Sequence, residues 1–146
     1  MDAPDLALRN ATYRLFVELG RAPSRAEVAA ATGLDEEAVL AGWRRLHDVR
    51  AVVLDGAGDL RMANPFSAVP TSFTVDAAGR RWFGNCGWDA FGIGAALHVD
   101  CTIHTVCPDC SEPIDIDVRD GRPAASDAVF HILVPAASWW NDIGFT

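Results

Sequence analysis

The stretch RRWFGNCGWDAFGIGAAL, residues 80–97, joins a short aromatic segment to an apolar run rich in Ala and Gly. Asp89 is the one charged residue among residues 86–97, and this pattern predicts a buried helix that begins near Cys86. Residues three apart share a face of a helix, so the Cys86 thiol and the Asp89 carboxyl are expected to project together. The dipole at a helix N-terminus favours a thiolate, but a neighbouring carboxylate opposes it. Asp89 is therefore interpreted as a proton carrier or a second ligand beside Cys86; the alternative is a capping Asp next to a structural cysteine.

The chain before this stretch follows a helical pattern. Apolar residues at helical spacing predict a helix over residues 5–19 that stops at Gly20. Ser24 and Glu27 form a capping box that opens a second helix, and Asp35 caps a third. The sequence therefore predicts three consecutive helices in the N-terminal part of the chain.

The segment AVVLDGAGDLRM, residues 51–62, predicts two strands joined by a Gly-rich turn. Three helices followed by a hairpin is the order of a winged-helix domain, which we predict for residues 1–63. Such a domain presents the N-terminal end of its recognition helix to DNA. Here that end carries Asp35, Glu36 and Glu37, which would repel phosphate. We therefore expect a structural domain rather than one that binds nucleic acid.

Residues 64–146 form the second predicted domain, made of short strands around the one helix. The segments HVDCTIHTVC (residues 98–107), PIDIDVRD (113–120) and AVFHILVP (128–135) are interpreted as strands, with His131 as a sheet residue. The predicted fold class is α+β: a winged-helix-like three-helix unit packed on a mainly antiparallel sheet with one buried helix.

Composition excludes several functional classes. The net charge is −8, which argues against binding nucleic acid or an anionic membrane through bulk electrostatics. No apolar run approaches the roughly 20 residues that span a bilayer, and the first residues lack the features of a signal peptide. We therefore expect a cytoplasmic protein, whose 4 cysteines are metal-binding, catalytic or buried rather than disulfide-bonded.

Cys107 and Cys110 form a C-x-x-C between two predicted strands, which is a spacing that binds zinc. Structural zinc takes four ligands, so a second pair would be needed. Strand alternation places Cys101 on the same face as Cys107, whereas His104 faces the other way. A second metal site built from Cys107, Cys110 and Cys101, occupied by zinc, is one interpretation. Thiols without a metal are the other.

The segment 80–97 resembles the active-site segment of the organomercurial (alkylmercury) lyases. Trp82, Cys86 and Asp89 reproduce that family's W-x-x-x-C-x-x-D spacing. The family also has a winged-helix-like N-terminal domain that does not bind DNA, and Cys107 matches a family cysteine that is regarded as structural. The segment ILVPAASWWNDIGFT, residues 132–146, is similar to the stretch that precedes the family's second catalytic cysteine. The resemblance thus places that cysteine after Thr146, outside the predicted domain of residues 64–146.

The resemblance implies protonolysis of a carbon–mercury bond in a small organometallic substrate. Cys86 would ligate mercury, and Asp89 would pass the thiol proton to carbon and then help to hold the metal. No cofactor would be required, and Hg(II) would be the bound product. The alternatives are a thiol-based protein that binds Hg or Cu without catalysis, and a family enzyme with another substrate. Trp139 and Trp140 make a homodimer plausible if they are exposed.

Overall fold

The computed structural model describes residues 1–144. Three helices come first, a fourth lies between two strands, and eight short strands form one sheet. The helices are α1 (Ala3–Leu19), α2 (Arg25–Thr32), α3 (Glu36–Asp48) and α4 (Gly87–Leu97). The strands are β1 (Val53–Leu54), β2 (Leu60–Ala63), β3 (Phe66–Ser67), β4 (Thr74–Ala77), β5 (Arg80–Gly84), β6 (Cys101–Val106), β7 (Pro113–Arg119) and β8 (Arg122–Pro123). A 3-10 helix over Ala136–Asn141 lies near the end of the described chain.

The sheet has the strand order β1-β2-β3-β5-β4-β6-β7-β8, and neighbouring strands pair antiparallel throughout. The α+β fold class predicted from the sequence is therefore confirmed. Burial alternates along β6 as predicted, with Cys101 and Ile103 facing the core and His104 on the outer face. There His104 contacts the carboxylates of Asp76 and Asp115.

The predicted end of α1 at Gly20 and the predicted caps of α2 and α3 are confirmed, while α1 begins at Ala3, two residues before the predicted start. Asp2 and Asp35 each accept a hydrogen bond from a backbone N–H in the first turn of their helices. Ser24 and Glu27 form the complete capping box. Gly20 ends α1 in the left-handed conformation, at a φ of 71°, which glycine adopts without steric cost.

The helical unit and the sheet share one hydrophobic core. The Phe16 ring of α1 stacks on Phe66 of β3, with 5.2 Å between their centroids. The Trp82 indole N–H donates to the Phe16 carbonyl at 3.2 Å. The β1–β2 hairpin is the edge of the same sheet, so pairing continues past residue 63 into β3. A winged helix over residues 1–63 and the boundary at that point stay predictions.

The predicted strand at residues 128–135 is wrong, and so is the placement of His131 in the sheet. Residues 124–132 have no regular structure. The edge beyond β7 is taken by β8, which is two residues long; the Ala124 N–H still donates to the Asp117 carbonyl at 2.7 Å, and the chain then leaves the sheet. The chain instead crosses to the start of α4, where the Phe130 ring lies 2.3 Å from the position that a Cβ of Gly87 would occupy. Phe130 therefore contacts a helix, while most of the apolar run is exposed and does not pair in a sheet.

The C-terminal aromatic segment is not a strand but includes a 3-10 helix. Trp139 and Trp140 lie in the 3-10 helix, and each is partly buried in its own chain. The Arg50 guanidinium lies 5.2 Å from the Trp140 ring centroid. Residues 145 and 146, the last of this segment, lie outside the described residues. In the part of the chain that the structure describes, no helix has the length and apolar character needed to cross a membrane.

Candidate active site

The approach of β5 to α4 positions Cys86. Gly84 ends the strand, and a Cβ there would lie 2.9 Å from the backbone nitrogen of Ala90. Only a residue without a side chain lets the strand end so close to the first turn of the helix. Cys86 then takes the N-cap position with extended backbone, directly before Gly87. The prediction of a helix that begins near Cys86 is confirmed.

The Cys86 thiol and the Asp89 carboxyl lie together, as their spacing predicts. The Sγ of Cys86 donates toward Oδ2 of Asp89 over 3.9 Å. Burial raises the pKa of the thiol, and the Asp89 charge adds to this effect. The backbone N–H groups of Asp89 and Trp88 point at the sulfur and partly offset the rise in its pKa. The contact therefore pairs a thiol donor with a carboxyl acceptor.

Burial also dominates the environment of Asp89. It raises the pKa of this carboxyl, while hydrogen bonds from the side chains of Asn85 and Cys86 lower it in part. No arginine or histidine forms an ion pair with Asp89 among residues 1–144. A carboxyl with a raised pKa accepts a proton more readily and holds it longer than an exposed aspartate does.

Asn85 is a polar residue of the site that the sequence analysis missed. Its Nδ2 donates to Oδ2 of Asp89 at 3.0 Å and to Oδ1 of Asn64 at 3.1 Å. The carbonyls of Pro65 and Phe66 lie 3.4 Å from the same nitrogen. Its Oδ1 is buried and has no hydrogen-bond partner within the described chain. The side-chain amide therefore hydrogen-bonds to both the β2–β3 turn and the Asp89 carboxyl, and it holds Asp89 in position.

Two cavities open at this pair. The smaller, of about 60 Å³, is lined by Asn64, Asn85, Cys86 and Asp89, with Trp139 at its wall. The larger, of about 190 Å³, shares Cys86, Trp88 and Trp139 with the smaller. Its other walls are Phe73, Phe130, His131, Ile132, Leu133 and Val134. An apolar cavity of about 150 Å³ is large enough to hold benzene. The thiol therefore faces a largely apolar space with room for a small organic group, while the carboxyl lines the smaller cavity beside it.

The other predicted site residues lie elsewhere. Cys101 is buried beneath α4, and its Sγ lies 2.6 Å from the position of a Gly94 Cβ. It begins β6, whereas Cys107 follows the end of that strand, so the two lie roughly 20 Å apart at about 3.3 Å per residue. Neither Cys101, Cys107 nor Cys110 lines either cavity at Cys86.

A three-cysteine zinc site has no support in the structure. Within residues 1–144, no group of three or more His, Cys, Asp or Glu side chains is arranged to hold a metal ion. Because structural zinc takes four ligands, the observed positions of Cys101, Cys107 and Cys110 do not fit it.

The largest surface groove, of about 640 Å³, lies away from the Cys86 pair. It contains Arg81, whose guanidinium is bound to the Asp76 carboxylate, and Arg119, which binds Asp117 and the Cys101 carbonyl. Arg81 and Arg119 are each paired with a carboxylate, and the groove is open to solvent. It is therefore a weaker candidate for chemistry than the thiol–carboxyl pair.

A half-buried thiol beside a carboxyl with a raised pKa, next to an apolar cavity, is a pair whose chemistry permits soft-metal ligation and proton transfer. Residues 66–146 match the family model described as MerB: Alkylmercury lyase. The match covers more than half of the chain, so the chain belongs to the alkylmercury lyase family.

A solved structure supports the same fold. The chain is similar to the mercury-bound form of MerB2, with a TM-score of 0.67 and 22% sequence identity. The match covers 86% of this chain and 60% of that chain, so this chain spans three fifths of the length of MerB2. A search of curated protein sequences gives no significant match.

Proposed function

We propose that this protein is an organomercurial lyase that cleaves a carbon–mercury bond by protonolysis. The observation that carries the proposal is the 3.9 Å contact between Cys86 Sγ and Asp89 Oδ2 at the edge of an apolar cavity. Mercury is a soft cation, for which thiolates are the preferred ligands. The family of the chain, from its match over residues 66–146, supports the same reaction.

The first step loads the substrate onto sulfur. The S–H bond of Cys86 breaks, its proton goes to the Asp89 carboxylate, and a sulfur–mercury bond forms with R–Hg⁺. The contact between the two groups lets the proton move without crossing bulk water. Asn85 is a positioning residue here, because its N–H holds the accepting carboxyl beside the thiol.

The second step breaks the carbon–mercury bond. The O–H bond of protonated Asp89 breaks and its proton forms a C–H bond, while the electron pair of the C–Hg bond goes to carbon. R–H leaves, Hg(II) stays on the Cys86 sulfur, and the freed Asp89 carboxylate lies beside the metal. A second thiolate bound to mercury donates further electron density to the metal and so weakens the carbon–mercury bond. A small-molecule thiol supplies it in the experiment below. The thiols and the carboxyl provide all the groups of the reaction, so no cofactor enters the proposal.

The apolar cavity favours substrates with a small alkyl or aryl group. Phe73, Phe130 and Leu133 line a space of about 190 Å³ next to the sulfur. A phenyl group fits a cavity of this size, because an apolar cavity of about 150 Å³ in another protein binds benzene. We propose methylmercury and phenylmercury as representative substrates.

The test incubates the purified chain with phenylmercury and excess thiol, and follows benzene release and protein-bound mercury. We expect Cys86→Ser to abolish benzene release, and Asp89→Asn to retain bound phenylmercury but to lower benzene release by at least about 100-fold, the usual contribution of a general acid. Cys101→Ala and Asp127→Asn are matched controls, because neither residue lines the cavities. Benzene release that is unchanged in Asp89→Asn would contradict the mechanism.

One observation favours a second function. Cys86 is the only cysteine that lines the two cavities as the structure describes them. A site with one thiol suits capture of an organomercurial or of another soft metal such as Cu(I) without cleavage. Bound phenylmercury with no benzene at any thiol concentration would support capture over catalysis.

The predicted location, the role of the N-terminal unit and the oligomeric state are also part of the proposed function. We propose a cytoplasmic protein with a structural N-terminal winged-helix-like unit that does not bind nucleic acid. A homodimer stays a prediction, although Trp139 and Trp140 are already partly covered by their own chain. Sedimentation at several protein concentrations measures the oligomeric state.

A further inference from the structure

The turn between β6 and β7 holds two cysteines that the proposed reaction does not use. Cys107 is half-buried and Cys110 is exposed. The Cys107 N–H donates to the Glu112 carbonyl, and the Ser111 N–H donates to the Cys107 carbonyl, both at 2.9 Å. Ser111 adopts the left-handed conformation, at a φ of 61°, which brings the chain back toward β7. The C-x-x-C is therefore a closed turn on the surface.

This turn directs its hydrogen-bond donors at one sulfur. The backbone N–H groups of Cys110 and Asp109 and the thiol of Cys110 all point to the Cys107 sulfur. Together they lower the pKa of Cys107, because each donor stabilises the thiolate. The pKa of Cys107 thus lies below its usual range, and a second thiol lies in the same turn.

We propose that Cys107 and Cys110 form a two-thiolate site that binds one Hg(II) ion, separate from the site at Cys86. On binding, two S–H bonds break, two S–Hg bonds form, and two protons pass to solvent; no electrons are transferred. Cys101 takes no part, since it is buried beneath Gly94 at the other end of β6.

The number of ligands selects the metal. Zinc in structural sites takes four ligands, and no third His, Cys, Asp or Glu side chain joins the two thiols within residues 1–144. Hg(II) is satisfied by two thiolates, so the pair completes its coordination. Because both thiols belong to one turn, the second sulfur binds at a high effective concentration. The pair should therefore hold the ion against monothiols in solution.

The experiment uses the full chain with Cys86→Ser, which removes the thiol of the proposed active site. The reduced protein is titrated with HgCl₂ in the presence of glutathione, and bound mercury, the sulfur-to-mercury absorption band and released protons are measured. We expect one bound Hg(II) per chain and, in a parallel titration without glutathione, two released protons. Adding Cys110→Ser should weaken binding by about 100-fold, the typical loss when a chelate becomes a single ligand. Adding Cys101→Ala, which also removes one thiol, should leave binding unchanged.

Two outcomes would overturn this proposal. One is mercury binding that Cys110→Ser does not weaken while circular dichroism shows an intact fold. The other is Zn(II) binding of equal strength at the same pair. Neither outcome depends on benzene release, so this site can fail while the lyase proposal stands, and the reverse also holds.

Discussion

Asp89 is a carboxyl group whose protonation depends on burial more than on any charged partner. Its neighbours are the amide of Asn85 and the thiol of Cys86, and both donate to it. Because burial raises the pKa and the two donors lower it, small changes at the donors move the balance. The spacing of Cys86 and Asp89 is predictable from the sequence because helix geometry is local. Asn85 is not, since its partner Asn64 lies 21 residues away and is brought to it by the β3–β5 pairing.

Replacing Asn85 tests this balance. Asn85→Ala removes an N–H that stabilises the Asp89 carboxylate, so we expect the pKa of Asp89 to rise. The reaction begins with the carboxylate form, so the acid limb of kcat/KM for benzene release should move to higher pH. The loss of positioning should also lower kcat about 10- to 100-fold.

The direct measurement is an NMR titration of the Asp89 carboxyl carbon in labelled protein. Asn10→Ala, at an exposed position on α1, is the matched control. A pH profile and a carboxyl titration that both coincide with those of the parent would show that Asn85 has no such role. The titration does not require activity, so it separates this prediction from the proposed function.

At the scale of elements, α4 lies against the sheet at two glycines. Gly84 lets β5 approach the first turn of the helix, and Gly94 leaves room for the Cys101 side chain of β6. A sequence pattern predicts the helix, because apolar residues and a capping position mark it. The same pattern does not reveal which strand will fill the space at Gly94, because that contact depends on the pairing of β4 with β6.

This contact gives a prediction that can be tested by a double-mutant cycle. Gly94→Ala places a Cβ 2.6 Å from the Cys101 Sγ, so we expect a loss of about 1–3 kcal/mol in the free energy of unfolding. Cys101→Ala removes that sulfur, and the remaining Cβ lies at an ordinary 3.6 Å. The double variant should recover most of the loss, measured by urea unfolding. Additive losses would mean that α4 does not sit on β6 as described. Gly56→Ala, where a Cβ meets nothing within 4 Å, is the control.

The segment after β8 shows where periodicity misleads. Residues 128–135 alternate in a way that is typical of a strand, yet Val129 is 89% exposed and Phe130 packs on Gly87. An alternating sequence pattern shows which residues are apolar, but it does not show whether a sheet edge is free to pair with them. The chain leaves the sheet after Ala124, whose N–H donates to the Asp117 carbonyl, and residues 128–135 do not pair with that edge.

At the scale of the whole molecule, the helices and the sheet are stabilised by a common core. Phe16 contacts both layers, through its ring against Phe66 and its carbonyl under Trp82. The order of helices and strands is predictable from the sequence. The continuity of the core across residue 63 is not, because it arises from contacts between α1 and strands about 50 or more residues later.

A shared core predicts one cooperative unfolding transition. Phe16→Ala should lower the free energy of unfolding by about 3–5 kcal/mol, and Phe16→Leu by less, because both leave space between the layers. Helical circular dichroism and tryptophan fluorescence should lose their signals together in urea. Leu6→Ala, at an exposed position of the same helix, should change stability by no more than about 0.5 kcal/mol. Separate transitions from the two probes would favour two independent domains.

Asn64 hydrogen-bonds both to the first helix and to the residue that holds Asp89. Its carbonyl accepts the Tyr13 hydroxyl of α1 at 3.1 Å, and its side chain accepts the Asn85 amide that holds Asp89. Three hydrogen bonds thus lead from the first helix to the reacting carboxyl. Recombination that exchanged the N-terminal helices for an unrelated module would break this path. Any such exchange would therefore have to supply a new hydrogen-bond donor for the Asn64 carbonyl.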